Sequence, residues 1–172
     1  MIKQIKLNIL TFFDYVSAIP IAIYIALLYQ FILFKNFNYF LLFSEMLYVD
    51  CIIVPFIKNL PYPDYLRYIT DRPHNAQRCD YLSRETELRN KAGFPSGHMT
   101  VTAMFAVYQI CNKFIKENHF EFDMYLFIHV ALVITMGFAR YYKNCHNIIQ
   151  IIAGTILGTF MGYSAFCLNN NL

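Results

Sequence analysis

The chain has 172 residues, of which 58% are hydrophobic, 18% are aromatic and only 15% are charged, and its formal net charge is +3. Soluble domains carry about 25% charged residues, and a domain of this length has too little interior for so many apolar side chains, so a water-soluble globule is excluded. A disordered chain is also excluded, because disordered segments are poor in apolar residues. The remaining class is a multi-pass integral membrane protein with one membrane domain over residues 1–172.

Five apolar stretches follow one another along the chain and predict an all-α membrane bundle of about five transmembrane helices. A helix that crosses a bilayer needs about 20 mostly apolar residues. The predicted spans cover residues 15–34, 37–57, 99–112, 124–139 and 147–168. Lys3 and Lys6 precede the first stretch as in a signal peptide, but the stretch is too long and lacks a convincing cleavage site, so we expect a retained span.

A polar segment, residues 58–97, separates the second and third predicted spans. It holds 12 of the 25 Lys, Arg, Asp and Glu residues and four of the six prolines, a composition typical of an ordered connection. With five spans, this segment, the N-terminus and the loop 140–146 lie on one side of the membrane. That side carries most of the Lys and Arg residues, so the positive-inside rule predicts that it faces the cytosol.

The basic and cysteine residues indicate no nucleic acid partner, no metal site and no disulfide framework. No basic run resembles a nucleic-acid-binding patch. The cysteines are odd in number, scattered and without a Cys-x-x-Cys pair, which indicates neither a zinc site nor a disulfide framework: Cys51, Cys79, Cys111, Cys145 and Cys167.

The last predicted span carries three glycines at intervals of four residues: Gly154, Gly158 and Gly162. This spacing places them on one helix face, where a second helix can approach closely. Two interpretations follow. The glycines pack against another helix of the same chain, or they form the seam of a homo-oligomer.

Three polar patches are predicted on the same side of the membrane: Asp71-Arg72-Pro73, then Phe94-Pro95-Ser96-Gly97-His98, then Arg140 followed by His146 and Gln150. Ser96 is a good N-cap for the third span, and Gly97 allows a ligand to approach the backbone. The free N–H groups of a helix N-terminus favour a phosphate. The guanidinium groups of Arg72 and Arg140 would bind the same oxyanions.

Two histidines flank this predicted anion site. An anion held between His98 and His146 suits attack by one imidazole and proton donation by the other. His146 and Gln150 are four residues apart and share a helix face, so Gln150 would orient the imidazole and leave its second nitrogen free.

These motifs resemble the three-part signature of the type 2 phosphatidic acid phosphatase (PAP2) superfamily. The resemblance implies a hydrolase without metal or cofactor that acts on a phosphomonoester or a pyrophosphate. It assigns the nucleophile that becomes a phosphohistidine to His146 and the general acid to His98. It assigns phosphate binding to four further residues: Arg72, Ser96, Gly97 and Arg140. Membrane members of the family act on lipid phosphates, so the expected substrate is a lipid phosphate or a prenyl pyrophosphate in the bilayer. Membrane members also usually have the site on the lumenal or exterior side, so the resemblance favours the orientation opposite to the one that the Lys and Arg residues favour.

Three positions depart from the family's pattern. Tyr65 stands where the family has Lys, with Arg67 nearby as an auxiliary cation. Ala139 replaces a Ser, and Gln150 replaces the Asp that orients the nucleophilic histidine. The alternatives are therefore a catalytically impaired PAP2-like protein that binds lipid phosphate or a membrane partner, and a lipid phosphotransferase in which a lipid alcohol replaces water.

Overall fold

The computed structural model describes residues 2–74, 76, 79, 92–114 and 123–170, and of residues 2–7 it describes the backbone alone. The polar segment therefore lies partly outside the described residues. Within them the regular structure is helical, with one isolated β-bridge between Asp71 and Ala92. The α-helices are α1 (Ile2–Ser17), α2 (Ile19–Phe34), α3 (Phe37–Tyr48), α4 (Val54–Lys58), α5 (Arg67–Thr70), α6 (Gly97–Phe114), α7 (Met124–Tyr142) and α8 (Ile148–Asn170).

Four helical stretches of the described chain are long and apolar enough to cross a membrane: Asn8–Phe34, Phe37–Lys58, Met124–Tyr142 and Ile148–Asn170. They coincide with four of the five predicted spans, and the predicted all-α membrane bundle is confirmed. The first stretch begins earlier than predicted because α1 runs into α2 through a break at Ala18. Pro20, which has no backbone N–H, follows that break in the first turn of α2.

The fifth predicted span coincides with α6, which differs in character from the other four. It packs mainly against α8 and also contacts α7, α2 and α3, so it lies inside the bundle. Its buried face includes the polar side chains of Thr100 and Thr102, which lower its mean hydropathy. A helix enclosed by other helices needs no apolar surface for lipid, which explains why α6 is not among the four candidate spans.

The glycine stripe of α8 packs against α6 of the same chain. A Cβ atom added at Gly158 or Gly162 would overlap backbone atoms of α6, and one at Gly154 would overlap the carbonyl of Ser96 directly before α6. The first of the two interpretations therefore describes this contact, and α6 occupies the face that the second assigned to another copy. The close approach of the two backbones fixes α6 beside the start of α8.

A π-helical turn, Val49–Ile53, joins α3 to α4 in one continuous helix. Within it the N–H of Val54 donates to the carbonyl of Val49, just before Pro55, whose nitrogen has no hydrogen to donate. The helix ends at Lys58, so the side chain of this lysine lies at the end of the bundle where the three polar patches meet.

Large apolar side chains cover the outside of the described bundle. Phe127 and Phe138 on α7, and Ile156 and Phe160 on α8, are each more than half exposed. The interior is also apolar, with a buried cluster that joins α2, α3, α6 and α8. An all-round apolar surface of this kind is typical of helices in a bilayer.

Candidate functional site

Three chain segments meet at one end of the bundle: α5 with the residues after it, residues 93–97 at the start of α6, and the loop from α7 with the first turn of α8. The N–H of Gly93 donates to the carbonyl of Thr70 at 2.6 Å, which joins the first two segments. The N–H of Ser96 donates to the carbonyl of Gln150 at 3.1 Å, which joins the second and third. The Asn147 side chain donates to the carbonyl of Tyr68 at 3.0 Å and joins the third to the first. The predicted patches are thus neighbours in space.

The start of α8 is held by a reciprocal cap between two side chains. The N–H of Gln150 donates to Oδ1 of Asn147 at 2.9 Å, and the N–H of Asn147 donates to Oε1 of Gln150 at 3.3 Å. This is the capping-box arrangement, with Asn and Gln in the roles of the first and fourth residues. It fixes the side chain of Gln150 beside the residue that precedes Asn147.

That preceding residue is His146, and Gln150 orients its ring. Oε1 of Gln150 lies 3.1 Å from Nδ1 of His146. On the other side of the same amide, Nε2 donates to the carbonyls of Ile69 at 2.6 Å and Asp71 at 2.8 Å. Because the amide nitrogen faces two acceptors, Oε1 must accept a hydrogen from Nδ1. The lone pair of the neutral imidazole is therefore on Nε2 of His146.

Gly93 packs directly on this amide. A Cβ atom at Gly93 would lie 2.7 Å from both Oε1 and Nε2 of Gln150, closer than real Cβ contacts. The side chain of Gln150 is itself fully buried. The absence of a side chain at Gly93 therefore leaves room for the amide that binds His146.

Burial and positive charge both favour a neutral His146. The side chain is 2% exposed. Burial lowers the pKa of His146 well below its usual value, and the nearby charges of Arg140, Arg72 and Lys58 lower it further. The hydrogen bond that His146 donates to Gln150 acts in the opposite direction but does not outweigh them. Both effects favour the neutral imidazole, which has its proton on Nδ1 and a lone pair on Nε2.

The same cations surround the second predicted histidine. His98 is half-buried in the first turn of α6. Arg140, Lys58 and Arg72 act electrostatically on His98 as they do on His146. The structure thus brings both histidines and both predicted arginines together, and it adds Lys58, which the sequence analysis did not single out.

Arg140 is fully buried at the end of α7. Its Nη1 donates to the carbonyl oxygen of Cys79 and lies 3.5 Å from Oγ of Ser17. A buried guanidinium with fixed acceptors is held in one orientation, which suits an anion-binding role.

Ser96 is fully buried directly before α6, and its backbone and hydroxyl have different roles. The backbone N–H binds α8, and the carbonyl accepts from the N–H and the hydroxyl of Thr100, each at 3.0 Å. The Oγ atom has no hydrogen-bond partner among the described residues. The predicted side-chain cap is therefore not seen in that part of the chain. A buried hydroxyl in this position suits a ligand oxygen.

Gly97 follows at the first position of α6, where the surrounding protein leaves ordinary space. A Cβ atom there would lie 3.5 Å from Oδ1 of Asp50 and from a methyl group of Val54, which is normal van der Waals contact. The packing of the described residues therefore does not require a glycine here. A ligand that lies close to the backbone would require one.

The predicted auxiliary cation Arg67 lies at the rim. Its guanidinium forms an ion pair with Asp64 at 2.8 Å, and both side chains are largely exposed. With Arg72 and Asn147 it lines an open polar cavity of about 530 Å³. Tyr65, at the position where the family has Lys, is also exposed. Arg67 is not among the charges that act on the two histidines.

Lys143 is a further buried cation that the sequence analysis missed. Its Nζ lies 2.9 Å from Oδ1 of Asp14 and donates to Oγ of Ser17 at 3.1 Å. This ion pair ties the loop after α7 to α1. Asp14, an acid beside an apolar stretch, was the available signal, since such acids usually have a buried partner.

The scattered cysteines indicate no disulfide framework, but the structure has one disulfide. Cys79 and Cys145 are disulfide-bonded, with their Cα atoms 5.4 Å apart. They lie 66 residues apart in the sequence, so their spacing carries no signal. Cys51, Cys111 and Cys167 are free. In the described parts of the chain, no group of three or more His, Cys, Asp or Glu side chains is placed to hold a metal ion.

Comparison with known proteins gives one match. The sequence model of the PAP2 superfamily matches residues 39–172, which is more than half of the chain and includes all the predicted site residues. No curated protein and no solved structure matches the chain. The matched range begins within α3, so α1 and α2 precede it. The motifs, the helical bundle and this match together show that the chain belongs to the PAP2 superfamily, as its sequence motifs predict.

Proposed function

We propose that the protein is a membrane-bound phosphatase that hydrolyses a lipid phosphomonoester or pyrophosphate through a phosphohistidine on His146. The observation that carries the proposal is the hydrogen bond between Nδ1 of His146 and Oε1 of Gln150, 3.1 Å long. It gives His146 the tautomer in which Nε2 is free to attack. A neutral amide performs here the orienting role that a carboxylate has in the family.

In this proposal the phosphate is held by the cations whose charges act on His146 and by groups at the start of α6. The guanidinium groups of Arg72 and Arg140 supply positive charge. The hydroxyl of Ser96, which has no partner among the described residues, supplies a hydrogen bond. The backbone at Gly97 offers the N–H groups of the first turn of α6. Lys58 adds a third positive charge, which offsets the missing cation at Tyr65.

The reaction has two steps. His98 must begin as the imidazolium, which the negative charge of the bound phosphate stabilises against the nearby cations. In the first step, the lone pair on Nε2 of His146 forms a bond to phosphorus, the bond from phosphorus to the leaving oxygen breaks, and protonated His98 gives that oxygen its proton. In the second, a water oxygen attacks phosphorus, the P–N bond breaks, and His98 accepts the proton of the water. Inorganic phosphate leaves, and both histidines return to their starting states.

The lipid character of the substrate follows from where the site lies. The predicted phosphate site is at one end of a bundle whose outer surface is apolar over α7 and α8. The phosphate group of a lipid lies at the membrane surface, while the tail of the lipid stays among the acyl chains. A lipid phosphate therefore reaches this end of the bundle without leaving the bilayer.

Phosphate release by the purified protein tests this proposal. We expect release from phosphatidate or from a prenyl pyrophosphate without added Mg²⁺, and a rate at least about 10³-fold lower in His146→Ala. Lys35→Ala, which removes an exposed cation directly after α2, is the matched control and keeps the activity. Equal rates in wild type and His146→Ala, with phosphate still bound, would favour the impaired, binding-only alternative. Transfer of phosphate to an added lipid alcohol would favour the phosphotransferase.

A further inference from the structure

The disulfide joins two segments that both carry predicted site residues. Cys145 directly precedes His146, and Cys79 lies seven residues after Arg72. Both cysteines are fully buried, and Ala76 packs against them. The bond therefore connects the segment after α5 to the loop between α7 and α8, at the level of the candidate site.

The two bonded cysteines hold both the side chain and the backbone of Arg140. The guanidinium Nη1 donates to the carbonyl of Cys79. The backbone carbonyl of Arg140 accepts from the N–H of Cys145 at 3.0 Å and from the N–H of His146 at 3.3 Å. The direction of the guanidinium and the path of the backbone into His146 thus depend on where the two cysteines are placed.

We propose that the Cys79–Cys145 disulfide is a positioning element of the phosphate site, and that the site reaches full phosphate affinity only in the oxidised chain. This inference rests on the proposed phosphate site, but it does not require that the protein hydrolyses a lipid. The cysteines touch neither phosphate nor the reacting atoms, and they act through Arg140 and His146.

Reduction by a dithiol breaks the disulfide and leaves every other covalent bond of the chain unchanged. The dithiol gives two electrons and two protons, becomes a cyclic disulfide, and leaves two protein thiols. Cys79 is then no longer bonded to the loop between α7 and α8, since a closed loop of 66 residues is opened. The carbonyl that fixes the guanidinium of Arg140 is no longer held, so the phosphate loses an oriented cation. The contacts of α6 with α7 and α8 do not involve either cysteine, so the helical bundle persists.

The proposal also bears on the compartment that the site faces. Disulfides persist where the surroundings are oxidising, such as the secretory lumen, the periplasm or the cell exterior, and are rare in the cytosol. A disulfide that supports the site is therefore useful only on such a side. This disagrees with the cytosolic orientation that the positive-inside rule predicts from the Lys and Arg residues.

Binding of inorganic phosphate to the full-length protein in detergent tests the proposal. We expect an increase of about tenfold or more in Kd after reduction with dithiothreitol, and recovery after reoxidation. The double variant Cys79→Ser/Cys145→Ser should bind as the reduced wild type does and should not respond to dithiothreitol. Cys167→Ser, at the far end of α8, is the matched control and should keep both the affinity and the redox response.

Each other outcome has a defined meaning. An unchanged Kd, with both thiols shown free by mass spectrometry, would overturn the proposal while leaving the proposed hydrolysis intact. Loss of helical circular dichroism on reduction would also overturn it, because the bond would then be a general stabiliser. A redox-dependent Kd in a protein that releases no phosphate from lipids would support the disulfide's role and refute the proposed function. No binding in either state would refute both.

Discussion

Oε1 of Gln150 lies 3.1 Å from Nδ1 of His146, while Nε2 of the same side chain donates to the carbonyls of Ile69 and Asp71. The amide therefore performs two tasks that need two kinds of atom, an acceptor for the histidine and a donor for the chain segment before Arg72. A carboxylate offers acceptors alone. At this position, therefore, Gln150 makes two hydrogen bonds as a donor that an ionised aspartate could not make.

This relationship predicts the result of Gln150→Glu, which keeps the size of the side chain. The carboxylate would still accept from His146, but its second oxygen would face the carbonyls of Ile69 and Asp71. We expect activity to fall at least about tenfold and the free energy of unfolding to fall by about 1–3 kcal/mol, because two partly buried carbonyls lose their donor. Phosphate-release rates and thermal unfolding in detergent measure both effects. A variant more active than wild type would show that the missing negative charge matters more than the lost donor.

Gly93→Ala tests the same amide from the other side. The added methyl group would lie 2.7 Å from the Gln150 amide, so the amide must move and the hydrogen bond to His146 with it. We expect activity to fall by about tenfold or more, with a loss of about 1–3 kcal/mol in stability. Gly137→Ala is the matched control, since its nearest neighbours are 3.6 Å away or farther. Equal activity in the two variants would contradict the importance of this packing.

Ser96→Ala separates ligand binding from stability. Its buried Oγ binds nothing among the described residues, so its removal should leave the unfolding midpoint unchanged or slightly higher. If the hydroxyl binds phosphate, the Kd for phosphate should rise about threefold to thirtyfold. Thr102→Val removes another buried hydroxyl without a described partner, deeper in α6, and should leave the Kd unchanged. The same Kd in wild type and Ser96→Ala would exclude this hydroxyl from the site.

The pH dependence of the reaction reports the charge around His146. Burial and the cations Arg140, Arg72 and Lys58 lower the pKa of His146, and attack needs the neutral imidazole. The acid limb of kcat/KM should therefore lie below pH 6.5, where an ordinary histidine is already half protonated. Lys58→Gln removes one positive charge, raises the pKa of His146 and should move the limb to higher pH. Lys35→Gln, at the opposite end of the bundle, should not move it.

The orientation of the chain can be measured independently of activity. If the disulfide supports the site, the polar segment 58–97 should lie on the oxidising side of the membrane. A glycosylation acceptor inserted into residues 80–90 should then be modified in a host that glycosylates secreted proteins. An unmodified acceptor, with the same tag modified in a secreted reference protein, would restore the cytosolic orientation that the charge distribution predicts.

The membrane spans and the candidate site residues could be predicted from residues that are close together in the sequence. Long apolar stretches located the spans, and short motifs located His98, His146 and their arginines. The motifs carry this information because neighbouring residues provide the chemistry, as at the N-terminus of α6. The pattern Asn147-x-x-Gln150 also contains the capping box that places the amide.

What the sequence did not predict depends on contacts between distant residues. The cysteines of the disulfide are separated by 66 residues, and the ion pair between Lys143 and Asp14 joins opposite parts of the chain. Lys58 ends a helix far in sequence from both histidines, yet its charge acts on each of them. No spacing rule connects such residues, so the packing of α1, α4 and α7 must be known before these contacts can be recognised.

The central claim is that His146 carries the phosphoryl group, and rapid quenching with a ³²P-labelled lipid phosphate tests it most directly. We predict an acid-labile, base-stable label in wild type that peptide mapping places on His146 and that is absent from His146→Ala. A label on another residue, or wild-type turnover that His146→Ala reproduces, would contradict the account.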